Sequence, residues 1–317
     1  MRILFTILFL FSSTLILSIN GGLNLINKII IFGDSLTDNG NVYKLSNYTW
    51  PIVPPYYQGR FCNGPNWFDR LSITDKSNYA YGSATTDNNF VQGLTKLNTL
   101  PVPGIRQQIA MYFNDTSNSS IDYTHTLYIM WAAGNDLIFN SSVTIPSIMN
   151  SLMNSVRDLL AVGAKNILIF NQPPIQSFPY FSVLNQTATF SMLTIQANTN
   201  LQTSIDAIQK NYTNSTIQIF DVNTLITKVI ANQSIPFTNT AGYCWDTLNL
   251  TTVAILCDNP SKYVFIDDFH FSNTTHQLIA DSINSLLSYN GCLKKEESLN
   301  ILLVSQIILI FSAIILF

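Results

Sequence analysis

Five short apolar runs, rich in β-branched and aromatic residues, constrain the fold of this chain more than any other feature. They are Lys28 to Gly33, Thr126 to Ala133, Lys165 to Asn171, Thr216 to Asp221 and Tyr263 to Asp267. Each is continuously apolar rather than alternating, which is the pattern of a strand buried on both faces. Between them lie stretches with apolar residues every three to four positions: Ile145 to Val162, Phe190 to Tyr212, Val222 to Ala231 and Thr274 to Tyr289. Strands alternating with helices predict an α/β fold, a parallel sheet with helices on both faces. In such a sheet functional groups gather beyond the carboxyl ends of the strands. Tyr48 to Leu100, rich in Pro, Gly, Asn and Tyr, reads as long loops near that rim. A single core is the simplest organisation for the chain.

Both ends differ from this middle. Met1-Arg2 followed by the apolar run Ile3 to Leu17 and small residues at Ser18, Gly21 and Gly22 reads as a secretory leader over 1–22. Residues 23–292 form the expected folded domain. Residues 293–317 hold a polar stretch, Lys294 to Ser298, and then an apolar tail. That order, preceded by Asn290-Gly291-Cys292, matches a signal for glycosylphosphatidylinositol attachment, with an ordinary membrane span as the alternative. The expected location is the secretory pathway and then the cell surface or exterior, membrane-anchored. Asn-x-Ser/Thr triplets begin at Asn47, Asn114, Asn118, Asn140, Asn185, Asn211, Asn214, Asn232, Asn249 and Asn273. Four cysteines suit an oxidising compartment. Cys244 and Cys257 enclose a short polar loop and are the preferred disulfide, leaving Cys62 and Cys292 either paired or orphaned.

Charge excludes one class of partner. The net charge is −3, charged residues make up only 10%, and no basic cluster occurs, so nucleic-acid binding has no electrostatic footprint.

Ser35 follows the first strand and precedes the turn-rich stretch Thr37 to Asn41. A serine nucleophile needs an adjacent base, and a histidine is the natural one near neutral pH. The chain has three histidines, His125, His270 and His276. Asp122 precedes His125 by three residues and Asp267 precedes His270 by three. His270 and Asp267 follow a strand, on the rim that holds Ser35. His125 precedes its strand and belongs on the opposite rim. His276 lies within the last helix, as surface or packing. Acyl transfer also needs hydrogen-bond donors for an oxyanion. Asn135, in Ala133-Gly134-Asn135-Asp136 after the second strand, is one candidate. The backbone N–H of Ser35 is another. A third is a backbone N–H at Gly82 or Ser83, where Asn78 to Thr86 reads as a short strand that breaks. Trp50, Tyr56, Tyr57 and Trp67 are candidates to line a sugar-binding cleft, with packing as the alternative.

The ordered set of motifs resembles the GDSL, or SGNH, hydrolase family, in its plant and fungal branch. Phe32-Gly33-Asp34-Ser35-Leu36-Thr37-Asp38-Asn39-Gly40-Asn41 is similar to its first block, Asn78 to Thr86 to its second, Gly134-Asn135-Asp136 to its third and Asp267-x-x-His270 to its last. Gly59-Arg60-Phe61-x-Asn63-Gly64-Pro65 resembles a further segment of that branch. The resemblance implies a flavodoxin-like three-layer α/β/α sandwich and ester hydrolysis with no metal and no cofactor. It implies a triad of Ser35, His270 and Asp267. It also implies an oxyanion hole from the Ser35 N–H, a second-block glycine N–H and Asn135. The second block often carries two glycines where this chain has Gly82-Ser83, and a donor at Ser83 requires a backbone conformation that tolerates a side chain. Expected substrates are small acyl esters, lipids or acetylated carbohydrates, with a preference for short acyl groups on carbohydrate, acted on by a monomer. The alternatives are an acyltransferase using the same residues and a catalytically silent surface glycoprotein.

Overall fold

The sheet carries the three most apolar of the predicted strands at its centre. In the computed structural model, which describes residues 25–95, 99–184, 186–232, 236–247 and 252–288, five strands lie in one parallel sheet. They are β1 (Lys28–Gly33), β2 (Asp75–Asn78), β3 (Thr126–Trp131), β4 (Asn166–Phe170) and β5 (Thr216–Phe220), in spatial order β2-β1-β3-β4-β5. This is the flavodoxin-like order, with its reversal between β1 and β3. The leader 1–22, the tail 293–317, Cys292 and the sequon residues Asn185 and Asn249 lie outside the described residues.

Alternate residues of the strands face two separate cores. Ile30, Phe32, Tyr128, Met130, Ile167 and Ile169 pack against helices α2 (Ile105–Asp115), α4 (Ile145–Ala161) and α5 (Thr187–Gln209). Ile29, Ile31, Leu127, Ile129, Trp131 and Leu168 pack on the other face against Trp67, helix α6 (Val222–Asn232) and helix α7, residues 273–288. Burying each such side chain contributes about 2 kcal/mol before conformational entropy is counted. Helix α4 starts where the sequence chemistry says it should. Thr144 caps it, accepting from the Ser147 N–H while the Ser147 hydroxyl takes the Thr144 N–H, and Pro146 occupies the first turn.

Two strand expectations are corrected. Tyr263–Phe265 (β7) is not in the sheet; it pairs in parallel with β6 (Asn239–Tyr243) as a separate two-stranded ribbon. The fifth sheet strand is instead β2, inside the segment read as loops. Its residues, Asp-Lys-Ser-Asn, are polar because an edge strand pairs on one side only and remains partly wet. The strand expected over Asn78 to Thr86 is regular only to Asn78, but the Tyr79 and Tyr81 N–H groups still donate to Ile31 O and Gly33 O of β1 before the chain turns at Gly82-Ser83. Cys244 and Cys257 form the expected disulfide, while Cys62 is a buried free thiol. Among the sequon asparagines, Asn273 is committed internally, its amide oxygen accepting from Arg70. Among the described residues no helix is long and apolar enough to cross a membrane.

Candidate active site

Ser35 stands just beyond the end of β1, beside the end of β3. Gly33 makes that close approach feasible, because a Cβ there would lie 2.8 Å from Thr37 Cβ and 3.2 Å from Trp131 O. Gln108 of α2 pins the same residue like a substitute strand. Its Nε2 donates to Gly33 O at 2.9 Å, and its Oε1 accepts the Gly33 N–H at 2.9 Å. The chain then turns sharply, the N–H groups of Thr37 and Asp38 both donating to Asp34 O.

His270 reaches Ser35 from the β6–β7 ribbon. Its Nε2 lies 2.9 Å from Ser35 Oγ, and its Nδ1 lies 2.8 Å and 2.9 Å from the two oxygens of Asp267. Phe61 stacks on the imidazole at 5.2 Å between ring centres. Asp267 is buried. Burial alone would raise its pKa, but the facing His270 charge and hydrogen bonds from His270 and Tyr56 outweigh burial and hold the carboxyl below its ordinary range. His125 lies at the other end of the sheet, its carbonyl accepting from Lys28 at the start of β1 and its ring against exposed Asp122. His276 is packed inside α7, where burial pushes its pKa down to about 3.

The expected donors fall into place unevenly. Asn135 lies in the first turn of helix α3 (Gly134–Phe139) and lines the cleft; its Nδ2 donates one hydrogen to Ala84 O at 2.9 Å, and the other has no acceptor among the described residues. The turn 81–84 is closed by the Ala84 N–H on Tyr81 O, with Ser83 at φ 70°. Gly82 is corrected as a donor, because its N–H is committed to Asp38 Oδ2 at 2.9 Å. Its missing side chain serves packing instead: a Cβ at Gly82 would lie 2.3 Å from the Phe61 ring. The Ser83 N–H has no acceptor among the described residues, and Ser83 lines the cleft. Left-handed backbone at a non-glycine residue costs about 1–2 kcal/mol. It recurs at Ala133, φ 95°, just before Asn135.

A family profile described as GDSL-like lipase/acylhydrolase matches residues 29–283, which span every one of these groups. The chain belongs to that family. It is 23% identical over 283 residues to a thermolabile hemolysin of Vibrio parahaemolyticus, an alignment covering 83% of this chain and 65% of the hemolysin. The chain thus spans less than two thirds of that relative's length. It is 22% identical over 342 residues to a GDSL esterase/lipase of Arabidopsis thaliana, covering 89% of this chain and 94% of the relative. Among solved structures it is similar to Est24, a carbohydrate acetylesterase from Sinorhizobium meliloti, at 15% identity and a TM-score of 0.46, covering 84% of this chain and 99% of the other.

In this member of the GDSL-like family, Ser35 and His270 open onto a cavity of about 540 Å³. Most of its wall is apolar, including Leu36, Trp50, Ile138, Phe139, Phe181 and Phe269. Of the aromatic residues considered for a sugar cleft, only Trp50 lines this cavity; Tyr56 and Trp67 are buried, and Tyr57 packs against Arg60. Three residues that matter at the site carry no role in the motif reading: Tyr56, whose hydroxyl meets Asp267; Phe61, against His270; and Asp38. Asp38 had a local signal. Asp38-Asn39-Gly40-Asn41 has the composition of an Asx turn, and Asp38 Oδ1 accepts from both Gly40 and Asn41.

Proposed function

We propose that this protein is a secreted serine ester hydrolase working through an acyl-enzyme. The observation that carries the reading is the unbroken contact line from Ser35 Oγ to His270 Nε2, 2.9 Å, and from His270 Nδ1 to Asp267, 2.8 Å. Ser35 Oγ attacks the ester carbonyl carbon while His270 Nε2 takes its proton. Asp267 orients the ring and stabilises the imidazolium. Asn135 Nδ2 and the N–H groups of Ser35 and Ser83 receive the oxyanion. His270 returns the proton to the leaving alcohol, and the C–O bond of the ester breaks. Water then attacks the acyl-Ser35 ester, again with His270 as base, releasing the acid and restoring the serine. Ser35→Ala should lower kcat on a chromogenic ester by about 10⁴-fold or more; a purified variant of undiminished activity refutes the mechanism.

The lining of the cavity supports an apolar acyl group larger than acetyl. Each methylene buried there adds about 0.8 kcal/mol, or about a fourfold gain in kcat/KM, until the cavity is full. A nitrophenyl ester series from acetyl to octanoyl should climb accordingly, and a flat or falling series overturns this part of the reading. The disulfide Cys244–Cys257 supports an oxidising, extracytoplasmic location. Residues 293–317 are the proposed surface tether, which release by a phosphatidylinositol-specific phospholipase tests.

A further inference from the structure

The two oxygens of Asp267 keep different company. Oδ1 accepts from the backbone N–H groups of Phe269, 2.8 Å, and His270, 2.9 Å, and faces His270 Nδ1 at 2.8 Å. Oδ2 shares that ring nitrogen at 2.9 Å, and its other partner is the Tyr56 hydroxyl at 2.5 Å. The backbone therefore fixes where Asp267 sits, and Tyr56 governs how much charge its second oxygen presents.

Tyr56 comes from 211 residues away and is itself locked in place. Its ring stands edge-on to Trp245, 5.2 Å between centres and 87° between planes, and edge-on to Phe61, which stacks on His270. Trp245 directly follows the disulfide cysteine Cys244. Burial, and then the neighbouring Asp267 charge, push the Tyr56 phenol well above its ordinary pKa, so it stays protonated and always donates.

We propose that Tyr56 is a positioning residue that sets the basicity of His270, its hydroxyl drawing charge from Asp267 Oδ2 that the imidazolium would otherwise feel. The inference rests on the Ser35–His270–Asp267 reading above. An imidazolium is stabilised by the carboxylate behind it. A donor on that carboxylate disperses the negative charge, and the low local dielectric makes the effect felt at the next group. Without the phenol, His270 holds its proton to a higher pH. The other ionisable groups facing this pair are Asp34 and His276 toward His270, Cys62 toward Asp267 and Asp268 toward both, with Asp246 and Arg70 one step further out. Asp34, which burial raises to about 7, faces His270 and changes charge within the pH range of the profile, so it needs a control.

The test is the pH profile of kcat/KM and of fluorophosphonate labelling at Ser35. Tyr56→Phe should move the acid limb upward by about half a pH unit, so that activity below the limb falls about 3-fold further than activity on the plateau. KM should stay near the wild-type value, and the shift should persist in an Asp34→Asn background. Site-specific replacement of Tyr56 by 3-fluorotyrosine, a stronger donor of nearly the same shape, should move the limb the other way. It carries the test alone if the phenylalanine variant fails to fold. An acid limb that stays in place, with a loss uniform across pH, is the result of a merely structural role and overturns the proposal. Absence of labelling in the wild-type protein would instead overturn the serine-hydrolase reading.

Discussion

Ser35 and Asn135 stand at the ends of adjacent strands of the five-stranded sheet, whereas Asp267 and His270 stand on a two-stranded ribbon outside it. The sheet side takes its geometry from strand ladders and from two backbone positions held in left-handed conformations, Ser83 and Ala133. The ribbon side takes its geometry from a disulfide and from aromatic packing, with Phe178 5.0 Å from both Phe265 and Phe271. Their electrostatics differ too. Burial raises the sheet-side carboxyls, Asp34 to about 7 and Asp38 and Asp136 to about 6, while Asp267 is held low by His270 and Tyr56 against the opposing effect of burial. The proposed nucleophile and oxyanion donors are thus fixed by the fold, and the proposed base is brought to them by a separately secured arm.

Substitutions can separate the two sides. On the ribbon, Asp267→Asn should cost about 10⁴-fold in kcat by leaving His270 with the wrong tautomer. On the sheet side, Asn135→Ala should cost about 10²–10³-fold. Ester hydrolysis measured on both folded variants checks the order, and an equal loss would erase the distinction. Replacing Cys244 and Cys257 together by serine should destabilise the protein by about 3 kcal/mol, read as a lowered denaturation midpoint. Activity should then vanish at lower denaturant than the far-ultraviolet signal of the sheet does.

The next effect is in pH. Asp34, Asp38 and Asp136 have folded pKa values above the roughly 3.9 of an unfolded aspartate, so the native state holds extra protons between those limits. Their contribution to stability is present at low pH and is lost as pH climbs toward 7. His276 works the other way, since its depressed pKa makes the fold lose stability below about 6.5. In a His276→Leu background, Tm should therefore be higher at about pH 5 than at about pH 7.5; a flat curve would show that the sheet-side carboxyls are not perturbed by burial. The smallest effect is Ser83→Gly, which relieves a left-handed residue and should stabilise the protein by about 1 kcal/mol in urea denaturation.

What could be foreseen from the chain divides along physical lines. β1, β3 and β4 were legible because strands covered on both faces must be continuously apolar. β2 was not, because Asp75-Lys76-Ser77-Asn78 is an edge whose side chains answer to solvent. Ser35, Asn135, Asp267 and His270 were legible because three histidines leave little choice and each lies at the end of an apolar run. The placement of Asp267 and His270 on the rim of Ser35 followed from a strand wrongly assigned to the sheet; the ribbon delivers them there all the same. The choice between Gly82 and Ser83 depended on which N–H Asp38 takes, and the position of Tyr56 on a contact across 211 residues. Neither leaves a trace in local composition.

Asp38 joins two loops that are far apart in the chain. One carboxylate collects the N–H groups of Gly40, Asn41 and Val42 from its own loop and that of Gly82 from the other. The loop bearing Ser35 and the loop bearing Ser83 are consequently a single part with two pieces. Anyone recombining this scaffold with another of its kind should exchange residues 34–42 and 80–86 together. A chimera that crosses over between them would inherit a carboxylate from one parent and an amide placed for the carboxylate of the other.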